Sequence, residues 1–221
     1  GMNMAKKYLL FDFDGTVIDN SEGITACIRY ALGKMGVPVP DENTLRRFIG
    51  PSLFDSYMNY CEKNEENAAR FVELYRERYA PKGYLETRLY DGIKDTLVKL
   101  KADGNVLAVC SSKPLEFVEK IAEKLGIHDC FSFFSCPGFA THDSDKRSLI
   151  ENAVEHFGAD KKDVLMIGDT EFDINGANEA GVDSLGVLYG FAEDGTLQKC
   201  GATALADSPA EVYRVISEWK N

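Results

Sequence analysis

What the chain lacks narrows its function before any motif is read. No apolar run among its 221 residues approaches the roughly 18 that a membrane span requires. The opening residues Gly1-Met2-Asn3-Met4-Ala5-Lys6-Lys7 hold no long apolar stretch, so no secretion signal is expected. Gly1 ahead of Met2 reads as a scar of tag removal. Positive charge is scarce: 25 Lys and Arg face 36 Asp and Glu, a net charge of -11. Such a surface repels phosphate backbones and anionic lipid, which disfavours nucleic-acid or membrane partners. A small anionic substrate remains compatible, because a few Lys and Arg can outvote the mean field inside a cleft. The six cysteines, Cys27, Cys61, Cys110, Cys130, Cys136 and Cys200, form no CxxC pair and have no His at zinc spacing. They read as free thiols of a reducing compartment, the cytoplasm. Repeats and low-complexity segments are absent as well.

What remains is a globular composition, 44% apolar and 28% charged, long enough to bury a sizeable core without staples. Four short apolar runs stand out: Tyr8–Phe11, Val106–Cys110, Val164–Ile167 and Ser184–Leu188. A weaker fifth is Phe131–Phe134. None alternates with polar residues, the pattern of parallel strands buried on both faces. From about residue 90 onward these runs alternate with helical stripes closed by Gly104, Gly126, Gly158 and Gly181. Ser208-Pro209-Ala210-Glu211 opens a last helix with a capping box. The expected fold is α/β, a doubly wound parallel sheet with right-handed crossovers.

Three helical stripes interrupt this alternation directly after the first strand: Ile24 to Met35, Leu53 to Cys61 and Ala68 to Tyr79. Their position predicts a small all-helical cap, residues 17–85, inserted into a core of residues 1–16 and 86–221. Val17 to Ser21 and Pro81 to Tyr90 are the expected hinges.

The chemistry concentrates at strand ends. Phe11-Asp12-Phe13-Asp14-Gly15-Thr16 closes the first strand with two carboxylates at i and i+2, which project to the same side of an extended chain. Close carboxylates repel, and a cation between them is the natural remedy. The EF-hand spacing fails, since Thr16 stands at the next alternate position and the glycine comes too early.

The segment FDFDGTVID resembles the first motif of the haloacid dehalogenase-like hydrolase superfamily. Val106 to Ser112 resembles its second motif, with Ser111 where Thr is common. Lys146 stands where the third-motif lysine is expected, followed by Arg147 rather than Pro. Val164 to Asp173, VLMIGDTEFD, resembles the fourth. The helical insertion matches the cap of the phosphoglycolate phosphatase and 5′-nucleotidase-like branch. The resemblance implies a Rossmann-like core and a phosphatase that forms an aspartyl-phosphate. It implies Asp12 as nucleophile, Asp14 as general acid and base, and Ser111 and Lys146 as holders of the phosphoryl oxygens. Main-chain N–H groups near Phe13 and Ser112 would assist. Mg²⁺ would be ligated by Asp12, the Asp14 carbonyl and Asp169, with Asp173 holding a metal water or orienting Lys146.

Lys113 is the nearest competitor for the cationic role, and Ser112 and Lys113 join the expected substrate-binding set. Arg46 and Arg47, with the turn Gly50-Pro51-Ser52, are the candidates for substrate choice in the cap, although adjacent helical residues cannot both face one site. Tyr57 and Tyr60 either line a cavity or pack in a core. His128, His142 and His156 read as surface residues.

The expected activity is Mg²⁺-dependent hydrolysis of small cytosolic phosphate esters by a monomer or homodimer, phosphoglycolate phosphatase-like. A 5′-nucleotidase or pyrophosphatase, a sugar-phosphate mutase and a non-catalytic phosphate-binding module are the alternatives. An aspartate-phosphorylated receiver domain is too short and has no insertion after its first strand.

Overall fold

The computed structural model describes residues 4–138 and 145–221; Gly1 and His142 lie outside them. The chain divides into two compact units, one running to Ile18 and resuming at Leu89, the other Asp19–Arg88. The division falls two to three residues later than the expected boundaries of 17 and 86. Val17 and Ile18 are fully buried, and both donate backbone hydrogen bonds to the Phe13 carbonyl, at 2.9 and 3.1 Å. These bonds keep both residues with the core.

The core unit holds strands β1 (Tyr8–Phe11), β4 (Val106–Cys110), β5 (Phe133–Ser135), β6 (Val164–Gly168), β7 (Asp183–Val187) and β8 (Ala204–Ala206). Its helices are α5 (Ile93–Ala102), α6 (Leu115–Lys124), α7 (Lys146–Phe157), α8 (Glu171–Ala180), α9 (Thr196–Lys199) and α10 (Pro209–Ser217). The six strands lie in the order β5-β4-β1-β6-β7-β8, and every pairing is parallel. The expected doubly wound α/β sheet is therefore present, and β1 occupies the point where the strand order reverses. The weak fifth run forms its strand two residues later than its apolar start. β8, a three-residue edge strand, had no signal in the sequence.

Packing follows the two-residue period of the strands. Leu10, Ala108 and Met166 are in register across β4, β1 and β6, and all three are buried together with Ile150, Ala153 and Ala177 of α7 and α8. Cys110 belongs to the same cluster, as a small core residue should. Ser208 caps α10 through the Glu211 N–H, with Pro209 in the first turn, as the motif requires.

The second unit contains α1 (Ser21–Met35), α2 (Glu42–Arg46), α3 (Leu53–Tyr60) and α4 (Glu65–Tyr79). Asp41, Ser52 and Asn64 cap the last three by accepting from the backbone N–H three residues on. Its core is aromatic: Tyr57 and Phe71 ring centroids lie 5.2 Å apart, and Phe48 and Phe71 lie 6.0 Å apart. Tyr57 is fully buried and donates to Glu62 at 2.5 Å, so it packs in a core. Tyr60 is partly exposed against Phe48. Gly23 and Gly83 allow a close backbone approach, since a Cβ on Gly23 would stand 2.3 Å from the Gly83 carbonyl oxygen. Strands β2 (Ile18–Asp19) and β3 (Arg88–Leu89) pair where the chain leaves and re-enters the core.

Leu10→Ala removes the central side chain of the β1 register. It should cost about 3 kcal/mol of stability, read as a lower urea midpoint with an unchanged slope.

Candidate active site

The sheet delivers the acidic residues to one place. Asp12 follows β1, Ser111 follows β4 and Asp169 follows β6, so three adjacent parallel strands end side by side. Ligands of open α/β sheets bind beyond such strand ends, at the reversal of strand order. A hydrogen bond from the Asp12 N–H to the Ile167 carbonyl, 2.9 Å, continues the ladder one residue past the strand.

Asp12, Asp169 and Asp173 are all buried, and each offers a carboxylate oxygen within 4.8 Å of the others. Burial, then repulsion from Asp173, Asp169 and Asp14, holds the Asp12 carboxyl well above its ordinary value despite the attraction of Lys146. Burial and Asp173 push the Asp169 carboxyl up to about 7, against the lowering effect of its hydrogen bonds.

Lys146 opens α7 and reaches into this cluster. Its Nζ lies 3.1 Å from Asp12 Oδ1, 2.9 Å from Asp173 Oδ1 and 2.9 Å from the Cys110 carbonyl oxygen. Asp12 and the Cys110 carbonyl accept hydrogen bonds from the ammonium, and Asp173 Oδ1 meets it as an ion pair. Burial alone would lower the Lys146 pKa, but Asp12 and Asp173 raise it well above the ordinary lysine value. Gly176 of α8 makes the approach possible: a Cβ there would come within 2.7 Å of Lys146 Cβ.

Asp173 is held mainly through one of its oxygens. Its Oδ2 accepts from the Asp169 N–H, the Thr170 N–H and the Thr170 hydroxyl at 3.0–3.1 Å, and its Oδ1 meets Lys146. Asp14 points its Oδ2 at Lys113 Nζ, 3.5 Å away, while its Oδ1 is buried without a hydrogen-bond partner. Ser111 is buried, and its Oγ accepts from the Lys113 N–H at 3.1 Å. Ser112 is exposed next to it. Two ammonium groups, Lys113 and Lys146, thus stand among four carboxylates, Asp12, Asp14, Asp169 and Asp173.

Arg46 and Arg47 belong to the helical unit, where Arg46 ends α2 and Arg47 follows; both are exposed. Of the histidines, His156 is exposed and lies flat on Phe133 with centroids 3.8 Å apart. His128 is half-buried against Phe134 rather than fully on the surface, because the short helical turn after α6 folds it onto β5.

Two supports were assigned no role from the sequence, Thr16 within the first motif and Phe191 outside any motif. Thr16 Oγ1 donates to Asp169 Oδ1 at 3.2 Å, and the Phe191 N–H donates to Asp169 Oδ2 at 3.0 Å. Gly15, at φ +85°, lies so close that a Cβ would stand 2.1 Å from Asp169 Oδ2. That glycine is required both by its left-handed conformation and by the approach of the carboxylate.

A family model described as haloacid dehalogenase-like hydrolase matches residues 9–187. A 5′-nucleotidase of Pseudomonas aeruginosa is 37% identical over 193 residues, covering 86% of each chain. A phosphoglycolate phosphatase of Vibrio parahaemolyticus is 28% identical over 220 residues, with 96% of each chain covered. Among solved structures, one described as a predicted phosphatase from Clostridium acetobutylicum aligns with a TM-score of 0.90 at 35% identity. It covers 98% of this chain and 100% of its own.

Lys146→Met should leave Asp12 and Asp173 buried without their cation, at a cost of about 3 kcal/mol. With the ammonium gone, the Asp12 carboxyl rises further above its unfolded pKa, so the folded state binds more protons than the unfolded one. Stability then falls as pH rises. Urea titrations should find the deficit large at pH 8 and reduced at pH 5.

Proposed function

The chain belongs to the haloacid dehalogenase-like hydrolase family, and on that premise we propose that it is a Mg²⁺-dependent phosphatase of small phosphate monoesters. The observation that carries this reading is the charge balance at the strand ends. Four carboxylates and two ammonium groups leave a formal charge of −2 in a largely buried site. Hard carboxylate oxygens crowded in this way suit a divalent cation that prefers oxygen ligands. The raised Asp12 and Asp169 carboxyls and the unpartnered Asp14 Oδ1 fit such a site.

The Asp12 and Asp169 side chains and the Asp14 main-chain carbonyl would hold Mg²⁺. Once bound, it offsets the charge of the phosphate and of the attacking carboxylate. Asp173, with Oδ2 taken by three donors and Oδ1 2.9 Å from Lys146 Nζ, would hold a metal water or orient Lys146.

The residues divide the chemistry as follows. The Asp12 carboxylate attacks phosphorus, forming an acyl phosphate as the bond to the ester oxygen breaks. Asp14 gives its proton to that leaving oxygen. Asp14 then takes a proton from water, whose oxygen attacks the same phosphorus and displaces the Asp12 carboxylate. Lys146 neutralises Asp12 before attack and the phosphoryl oxygens after it. The Ser111 hydroxyl, with N–H groups of Phe13 and Ser112, binds the remaining phosphoryl oxygens. Lys113 adds the second positive charge that a dianionic monoester requires.

The substrate reading is phosphoglycolate phosphatase-like, supported by the relative that matches over 96% of both chains. The 37% identity to a 5′-nucleotidase favours a second reading, nucleoside monophosphates. Arg46 and Arg47 are the proposed selectors. The helical unit Asp19–Arg88 is the proposed cap. No disulfide joins the six cysteines, which fits the cytoplasmic reading, and the proposed state is a monomer or homodimer. Among the described residues no helix is long and apolar enough to cross a membrane.

Phosphate release should be measured on phosphoglycolate, nucleoside monophosphates, pyrophosphate, sugar phosphates and para-nitrophenyl phosphate. Release should require Mg²⁺, vanish with EDTA and fall at least 10³-fold in Asp12→Asn, on the scale of losing a nucleophile. Undiminished release in EDTA would overturn the metal reading, and undiminished release by Asp12→Asn would overturn the nucleophile.

A further inference from the structure

The loop after β7 carries no charged or nucleophilic side chain at residues 189–191, yet it encloses Asp169. Tyr189 Oη donates to the Thr16 carbonyl oxygen at 2.7 Å. Thr16 in turn donates its hydroxyl to Asp169 Oδ1, and the Phe191 N–H donates to Asp169 Oδ2. Between them, Gly190 has no room for a side chain: a Cβ would stand 2.3 Å from Asp169 Cβ and 2.5 Å from the Gly15 carbonyl oxygen. The Phe191 ring closes the other approach, with its Cδ2 2.7 Å from where a Gly15 Cβ would be. The Tyr189 ring is wedged edge-on against Tyr90, centroids 4.8 Å apart, and is half-buried.

We propose that Tyr189-Gly190-Phe191 is a positioning element for the cation, fixing the Asp169 carboxylate and the Gly15–Thr16 turn in the relative orientation that binds it. This rests on the Mg²⁺ reading above. The physical reasoning is one of free oxygens. Asp169 Oδ1 accepts from Thr16 at 3.2 Å and Oδ2 from the Phe191 N–H at 3.0 Å, and a carboxylate oxygen has a further lone pair for another ligand. Holding the carboxylate by both oxygens selects one rotamer. The Tyr189 hydroxyl fixes the height of the Thr16 turn, and with it the donor on Oδ1. Partners behind a metal ligand set its orientation, and their loss weakens metal affinity by about 10- to 100-fold.

The test is isothermal titration of Mg²⁺ into the substrate-free protein. The variants are Tyr189→Phe, Gly190→Ala and, as a remote control, Tyr213→Phe, which loses a phenol hydrogen bond to Asp103 on the surface. Tyr189→Phe keeps the ring and removes one hydroxyl, so it should fold. Its Mg²⁺ Kd should rise about tenfold, while turnover at saturating Mg²⁺ recovers toward the wild-type rate. Tyr213→Phe should leave the Kd unchanged. Gly190→Ala, where it folds, should bind Mg²⁺ more weakly still. An unchanged Kd in Tyr189→Phe, with wild type binding normally, would overturn this inference alone. Failure of the wild-type protein to bind Mg²⁺ would overturn the metal reading and this inference with it.

Discussion

One buried ammonium among carboxylates sets the terms for the rest of the core. Lys146 meets both Asp12 and Asp173 and donates to the Cys110 carbonyl as well. Such a group must be placed to within a few tenths of an ångström, because a charge pair that loses its partner in a buried setting is costly. The fold supplies that placement. Lys146 is the first residue of α7, Gly176 lets α8 come close, and the Cys110 carbonyl at the end of β4 fixes the third direction. The site is therefore less a set of reactive side chains than a set of strand and helix ends brought to common coordinates.

That arrangement explains the uneven legibility of the sequence. Asp12 and Asp14 announce themselves because acidic residues at the end of an apolar strand conflict with their surroundings, and the conflict is visible in the residue types; Asp169 was placed by the resemblance of VLMIGDTEFD to the fourth motif. Lys146 was placed by motif order, since nothing in Lys146-Arg147-Ser148 distinguishes it from a solvated lysine at a helix start. The parallel sheet was legible through its unbroken apolar runs. The edge strand β8 was not: Ala204-Leu205-Ala206 is short and half-buried, with weak strand preference.

The support behind Asp169 was invisible for a different reason. Phe191 acts through its backbone N–H, Gly190 through the absence of a Cβ, and Tyr189 through a bond to a carbonyl. None of these interactions depends on a recognisable side-chain pattern. Sequence reveals where charge must be compensated; it reveals poorly which backbone groups do the compensating.

The paired segments at Ile18–Asp19 and Arg88–Leu89 carry a consequence for how such a molecule can change over time. Neighbouring strands stand about 4.8 Å apart, so the core closes the same short gap whatever length of chain is interposed. Seventy residues or a brief hairpin would join the same two points without re-threading the parallel sheet. The core and the inserted helices can then diverge at independent rates, and exchanging one insert for another would leave the strand-end carboxylates where they are.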